Sequence, residues 1–187
     1  MKSRLGKGWL FPVLLLFHFS FSHSLCHPHD YLALLHFKAS LTINITNNYY
    51  YYYCDEVYPS IETWKNGTDC CSWSGVTCHP LSGHVTALDL PCAGLQGEIS
   101  ANSKLFSLSH MQSFNLAFSD FSKSQIPSTI GELVSLTHLN LSSSNFLGEI
   151  PSQISHLSKL QSLDLSDEFR LRWKEGIWKR MLQNATV

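Results

Sequence analysis

Six cysteines are the side chains in this sequence best suited to chemistry, either as disulfide pairs or as zinc ligands. They are Cys26, Cys54, Cys70, Cys71, Cys78 and Cys92. A zinc site would need the adjacent Cys70 and Cys71 to converge on one ion with Cys78, and His79 or His84 would complete it. Adjacent cysteines point their side chains apart and lack the Cys-x₂₋₄-Cys spacing of zinc sites. We therefore expect disulfides, and the residues alone leave the pairing open.

Ten histidines raise the question of metal binding or acid–base catalysis. His27 and His29 flank Pro28 and would bind a metal only weakly. No two histidines form a His-Glu-x-x-His motif or accompany a nucleophile. We expect most of them to be solvated surface residues, and we expect no metal site and no cofactor.

Motifs for catalysis or nucleotide binding are missing from the sequence. It contains no GxSxG, no GxxxxGK[ST] and no GxGxxG. Charged residues make up 14% of the 187 residues and the net charge is −1, which gives no basic surface for nucleic acid. These observations exclude a nucleic-acid-binding protein and predict a protein that is not an enzyme.

The first 24 residues have the composition of a secretory signal peptide. Lys2, Arg4 and Lys7 precede an apolar run from Trp9 to Phe21, which is too short to span a bilayer. We predict removal of residues 1–24 and secretion, which favours oxidised cysteines. No later segment is long and apolar enough for a membrane span.

Residues 25–83 hold five of the six cysteines and show little periodicity. Asp30 to Leu41 is predicted to be a helix capped by Asp30, because Leu34 and Phe37 recur at helical spacing. Tyr49 to Tyr53 form a homopolymeric run that is typical of a surface loop.

Residues 84–168 repeat with the Leu-x-x-Leu-x-Leu spacing. Four lines begin at Val85, Met111, Leu136 and Leu160, so the offsets are 26, 25 and 24 residues. The Leu-x-Leu pair places both leucines on one face of a strand. We predict an α/β solenoid of parallel strands, with an imperfect asparagine position occupied by Gly94, Asp120 and Asn145.

Several segments resemble the leucine-rich-repeat proteins of plants. Asp-Cys-Cys-Ser-Trp-Ser-Gly-Val-Thr-Cys at 69–78, Trp64 and residues 33–38 resemble their N-terminal cap. Leu-Gly-Glu-Ile-Pro at 147–151 resembles their repeat ending. The resemblance covers residues 26–187. It implies a disulfide-bonded cap with the pairs Cys26–Cys70 and Cys71–Cys78, and it leaves Cys54–Cys92 as the third pair.

The extra pair Cys54 and Cys92, the segment 154–160 and the segment 173–186 resemble plant receptor-like proteins of the disease-resistance type in particular. That resemblance implies an extracellular module, here truncated, that binds a peptide or protein without catalysis, and a co-receptor kinase as partner. Full-length members reach the plasma membrane through one helix. The ectodomain of a receptor kinase, a secreted inhibitor of a pathogen polysaccharide-degrading enzyme and a nonfunctional remnant are the alternatives.

Solvent-facing strand positions form the candidate ligand surface. They are Asp89, Ser113, Asn115, Phe118, His138, Asn140, Ser142, Ser162 and Asp164. Asn44, Asn66, Asn140 and Asn184 each begin an Asn-x-Ser/Thr glycosylation sequon.

Residues 169–187 leave the repeat pattern, with Trp173, Ile177 and Met181 at helical spacing. We expect them to form an incomplete fourth repeat, with a basic membrane-surface helix as the alternative.

Overall fold

The computed structural model describes residues 25–44, 54, 60–166 and 168–184. The expected signal peptide 1–24 and the tyrosine run lie outside these residues. The helices are α1 Pro28–Ala39 and α2 Ile177–Asn184. The strands are β1 Leu41–Ile43, β2 Val76–Cys78, β3 Val85–Asp89, β4 Leu95–Gly97, β5 Ser113–Asn115, β6 His138–Asn140, β7 Leu147–Glu149, β8 Ser162–Asp164 and β9 Arg170–Arg172.

Helix α1 begins two residues before the predicted start. Pro28 occupies the first turn, where its missing N–H costs nothing, and the cap position is His27 without a side-chain cap bond. Asp30 therefore does not cap the helix. Its carboxylate is buried and accepts the Val85 N–H at 2.8 Å. The predicted helix also ends too late, since Leu41 already belongs to β1.

Two stacked indoles form the centre of the cap. Trp64 and Trp73 lie 5.3 Å apart between centroids at 16°, and both are buried. The Trp64 indole N–H donates to the Ser74 carbonyl, and the Trp73 indole N–H donates to Thr68. Strand β2 pairs antiparallel with β3, so the cap continues directly into the repeat sheet.

Four parallel strands, β3, β5, β6 and β8, form one face of the solenoid. Leu88, Phe114, Leu139 and Leu163 are in register along this sheet. The first three are at most 1% exposed, whereas Leu163 in the last strand is half-buried. The repeat spacing therefore produces the predicted parallel ladder, and the fold is a leucine-rich-repeat solenoid with a disulfide-bonded cap.

Short 3₁₀ helices lie on the opposite side of the core, each in the return arm of a repeat, which is the segment that leads from one strand of the parallel sheet to the next. They span Lys104–Ser107, Ser128–Glu132 and Ser152–His156. Gly131 permits their close approach, because a Cβ there would lie 2.7 Å from the Gln153 carbonyl oxygen. The hydrophobic core lies between these helices and the parallel sheet.

In the third repeat, the residue that bonds to the preceding repeat is Ser144 and not the predicted Asn145. Ser144 is 0% exposed, and its hydroxyl donates to the Leu116 carbonyl of the preceding repeat at 2.7 Å. Asn145 is exposed with φ of 60°, a conformation that asparagine tolerates better than most residues. The prediction of Asn145 is one residue too late, because the Leu-x-x-Leu-x-Leu-x-x-Asn spacing counted from Leu136 ends at Ser144.

The segment after Glu168 continues the solenoid. Strand β9 pairs in parallel with β7, and α2 packs against the 3₁₀ helix Ser152–His156. Ile177 is fully buried and Met181 is partly buried against the core. Trp173 does not share their helix, since α2 begins at Ile177 and Trp173 is 48% exposed.

Candidate binding surface

Two rows of polar side chains cross the outer face of the parallel sheet. Asp89, Asn115, Asn140 and Asp164 form one row in register, and Ser113, His138 and Ser162 form the other. Strand alternation explains the rows, because the residue between two core positions points outward. With strands about 4.8 Å apart, the first row is about 14 Å long across four strands and the second is about 10 Å long across three. These lengths accommodate a short extended peptide.

Asx turns hold the first row in place. The side-chain carbonyls of Asn115 and Asn140 each accept the backbone N–H two residues later at 3.0 Å, and the Asp164 carboxylate does so at 2.9 Å. Asp89 forms no such turn, because the residue two positions later is Pro91, which has no backbone N–H. Its carboxylate instead accepts Asn115 Nδ2 at 2.8 Å.

Ser142 is a correction to the predicted surface. It is 7% exposed, and both its N–H and its hydroxyl donate to the Asn140 side-chain oxygen. The strand has ended at this point, so the outward alternation no longer holds. Ser142 therefore positions Asn140 and does not itself face a ligand.

Phe118 lies just after β5 in the left-handed region, with φ of 57°. Its ring is half-buried, and its N–H donates to the Ser142 carbonyl of the next repeat at 3.0 Å. The edge of the candidate surface thus carries one aromatic side chain. In the second row, His138 and Ser162 are exposed and Ser113 is half-buried.

The six cysteines form three disulfides, Cys26–Cys70, Cys54–Cys92 and Cys71–Cys78. The first joins the chain just before α1 to the 3₁₀ helix Cys70–Ser72. The second ties residue 54 to the turn after β3. Cys26–Cys70 and Cys71–Cys78 therefore lie within the cap, and Cys54–Cys92 links the cap to the first repeat.

The sequons differ in their accessibility. Asn44 and Asn66 are exposed, and the Asn66 side-chain oxygen accepts the Tyr31 hydroxyl. Asn140 is half-buried within the candidate surface. Asn184 is the last residue of α2. Glycosylation at these four positions stays a prediction.

A second concavity lies outside the predicted surface. It is a shallow groove of about 650 Å³ between the return arms of successive repeats, and its rim carries Glu98, Lys123, Glu149 and Lys174. The two signs of charge balance, and the residues come from four separate segments, so the sequence offers no signal for it. Within the described part of the chain, no helix is long and apolar enough to cross a membrane.

Comparison with known proteins agrees with this architecture. The leucine rich repeat N-terminal domain family matches residues 27–79. Receptor-like protein 6 of Arabidopsis thaliana is 42% identical over 156 residues, which cover 80% of this chain and 16% of that protein. Receptor-like protein Cf-9 of Solanum pimpinellifolium is 43% identical over 167 residues, which cover 87% of this chain and 19% of that protein. The chain therefore spans less than a fifth of the length of these relatives.

Solved structures show the same fold. PEPR1 in the PEPR1-AtPEP1 crystal structure superposes with a TM-score of 0.59 at 26% identity, covering 81% of this chain and 20% of that one. The BIR2 ectodomain from Arabidopsis thaliana superposes with a TM-score of 0.61 at 23% identity, covering 81% and 74%. The cap and the repeats, with 42–43% identity to the curated relatives over most of the chain, show that the chain is similar to plant leucine-rich-repeat receptor-like proteins.

Proposed function

We propose that this chain is an extracellular recognition module of a plant receptor-like protein, and that the outer face of β3, β5, β6 and β8 binds a peptide or protein non-covalently. The observation that carries the proposal is the row Asp89, Asn115, Asn140 and Asp164. Its side chains are held by hydrogen bonds before any ligand arrives. Such preorganisation lowers the entropic cost of binding.

The chemistry of this face favours polar, extended ligands. The amide and carboxylate groups of the first row lie beside Ser113, His138 and Ser162 of the second row, so an extended peptide backbone finds both donors and acceptors. Asp89 and Asp164 add negative charge at the two ends of the row, which favours a ligand with basic side chains. PEPR1, which shares the fold, was crystallised with AtPEP1.

The proposal places the chain outside the cell and assigns it no catalysis. Its expected signal peptide and its three disulfides support secretion. The relatives at about 42% identity are receptor-like proteins, not enzymes. Immune or developmental signalling, attachment to the plasma membrane in a longer protein and a co-receptor kinase partner follow from the family resemblance and belong to this proposal.

Panning a displayed random-peptide library against the secreted chain tests the proposal. We expect enriched peptides whose affinity falls at least tenfold for Ser162→Arg, which adds bulk and positive charge on the exposed outer face of β8. The matched control is Ser128→Arg, an equally exposed serine on a return arm. Equal affinities of the two variants, or no enrichment over an unrelated secreted protein, would contradict the assignment of this face.

A further inference from the structure

Three histidines surround one buried carboxylate where the cap meets the first repeat, and a fourth histidine stacks on one of them. Asp30, with its side chain 4% exposed, lies between the rings of His27, His29 and His84. The His84 ring stacks on His27 at 4.0 Å and on His110 at 4.0 Å between centroids. None of these residues belongs to the candidate ligand surface, so the cluster needs a separate explanation.

Three of these side chains direct donor atoms to a common point. The donors of His27, Asp30 and His84 all lie within 4.8 Å of one another. Nδ1 of His84 lies 3.1 Å from one Asp30 oxygen, and Nδ1 of His27 lies 3.8 Å from the other. Ligand atoms of a tetrahedral zinc ion with bonds of 2.0–2.1 Å are about 3.3 Å apart. We propose that His27, Asp30 and His84 bind a divalent transition-metal ion of the zinc class.

An unsatisfied atom supports this assignment. Within the described residues, Nδ1 of His27 is buried and has no hydrogen-bond partner, and its ion-pair distance to Asp30 is too long for one. Buried polar atoms normally have a hydrogen-bond partner, and an exception needs an explanation. A metal ion bound between His27 and Asp30 would give this nitrogen its partner.

The surroundings of Asp30 suit a metal ligand. The Val85 N–H donates to an Asp30 oxygen at 2.8 Å and so fixes the orientation of the carboxylate. Hydrogen bonds of this kind orient ligating carboxylates and raise metal affinity. Two imidazoles and one carboxylate are a donor set that zinc accepts, with water in the fourth position.

The ion would join elements that are distant in sequence. His27 and Asp30 lie at the start of α1, whereas His84 lies 54 residues after Asp30 and immediately before β3. Metal binding to the folded chain would therefore stabilise the junction between the cap and the first repeat. At a zinc concentration a hundred times the Kd, the melting temperature should rise by about 5–10 °C.

Calorimetric titration of ZnCl₂ into the untagged, chelator-treated secreted chain at pH 7.5 tests the proposal. We expect one ion per chain, and an affinity that weakens as the pH is lowered to 5.5 because protons compete for the imidazole nitrogens. His27→Ala and His84→Ala should each weaken binding at least tenfold and remove the zinc-dependent rise in melting temperature. His156→Ala, an exposed histidine on a return arm, is the matched control and should keep both.

Asp30→Asn separates metal ligation from folding. The asparagine oxygen can still accept the Val85 N–H, so the melting temperature in chelator should stay close to that of the unchanged chain while zinc affinity falls at least tenfold. The same zinc affinity in His27→Ala, His84→Ala and the unchanged chain would overturn the proposal, as would the absence of any 1:1 binding heat.

Discussion

Replacing Ser144 by alanine tests whether the buried hydroxyl between repeats stabilises the solenoid. The hydroxyl donates to the Leu116 carbonyl at 2.7 Å and to the Ser142 carbonyl at 3.1 Å, and the residue is 0% exposed. Its removal takes this donor from the Leu116 carbonyl, which costs about 1–3 kcal/mol, whereas the Ser142 carbonyl still accepts the Phe118 N–H at 3.0 Å. For a chain of this size, each kcal/mol lowers the melting temperature by about 2–4 °C.

Ser119 provides a matched control at the equivalent position of the preceding repeat. It is 4% exposed, but its hydroxyl has no hydrogen-bond partner among the described residues. Ser119→Ala removes a buried hydroxyl that makes no bond, so stability should stay equal or rise by up to about 1 kcal/mol. Urea unfolding followed by circular dichroism measures both variants. Equal losses for Ser144→Ala and Ser119→Ala would refute the hydrogen-bond reasoning.

Two further predictions concern α2 and the disulfide between Cys54 and Cys92. Ile177→Ala should weaken the packing of α2, because truncating this fully buried side chain costs about 2–5 kcal/mol of stability. Hydrogen exchange should then show that the α2 amides lose protection. Trp178→Ala, 51% exposed on the same helix, should change little, and equal effects would contradict this role of Ile177. The double change Cys54→Ser and Cys92→Ser opens a loop of 38 residues and should cost about 4 kcal/mol in urea unfolding. A loss below about 1 kcal/mol would show that this disulfide contributes little.

The repeat spacing predicts much of the candidate surface. Alternation along a strand is a local property, so Leu139 inward and His138 and Asn140 outward follow from the order of residues alone. The rule fails one step past the strand end, where the chain turns and Ser142 becomes buried. The same turn explains why Ser144, and not Asn145, bonds to the preceding repeat.

The sequence by itself determined the solenoid, because a period of 24 to 26 residues with Leu-x-x-Leu-x-Leu in each line can bury its leucines only by stacking strands in parallel. The tertiary structure alone decided which distant side chains meet. Asp30 and His84 share no local pattern, and only the antiparallel pairing of β2 with β3 and the packing of α1 bring them within 3.1 Å. Contacts across 54 residues depend on how the whole cap closes, and spacing along the chain carries no information about that closure.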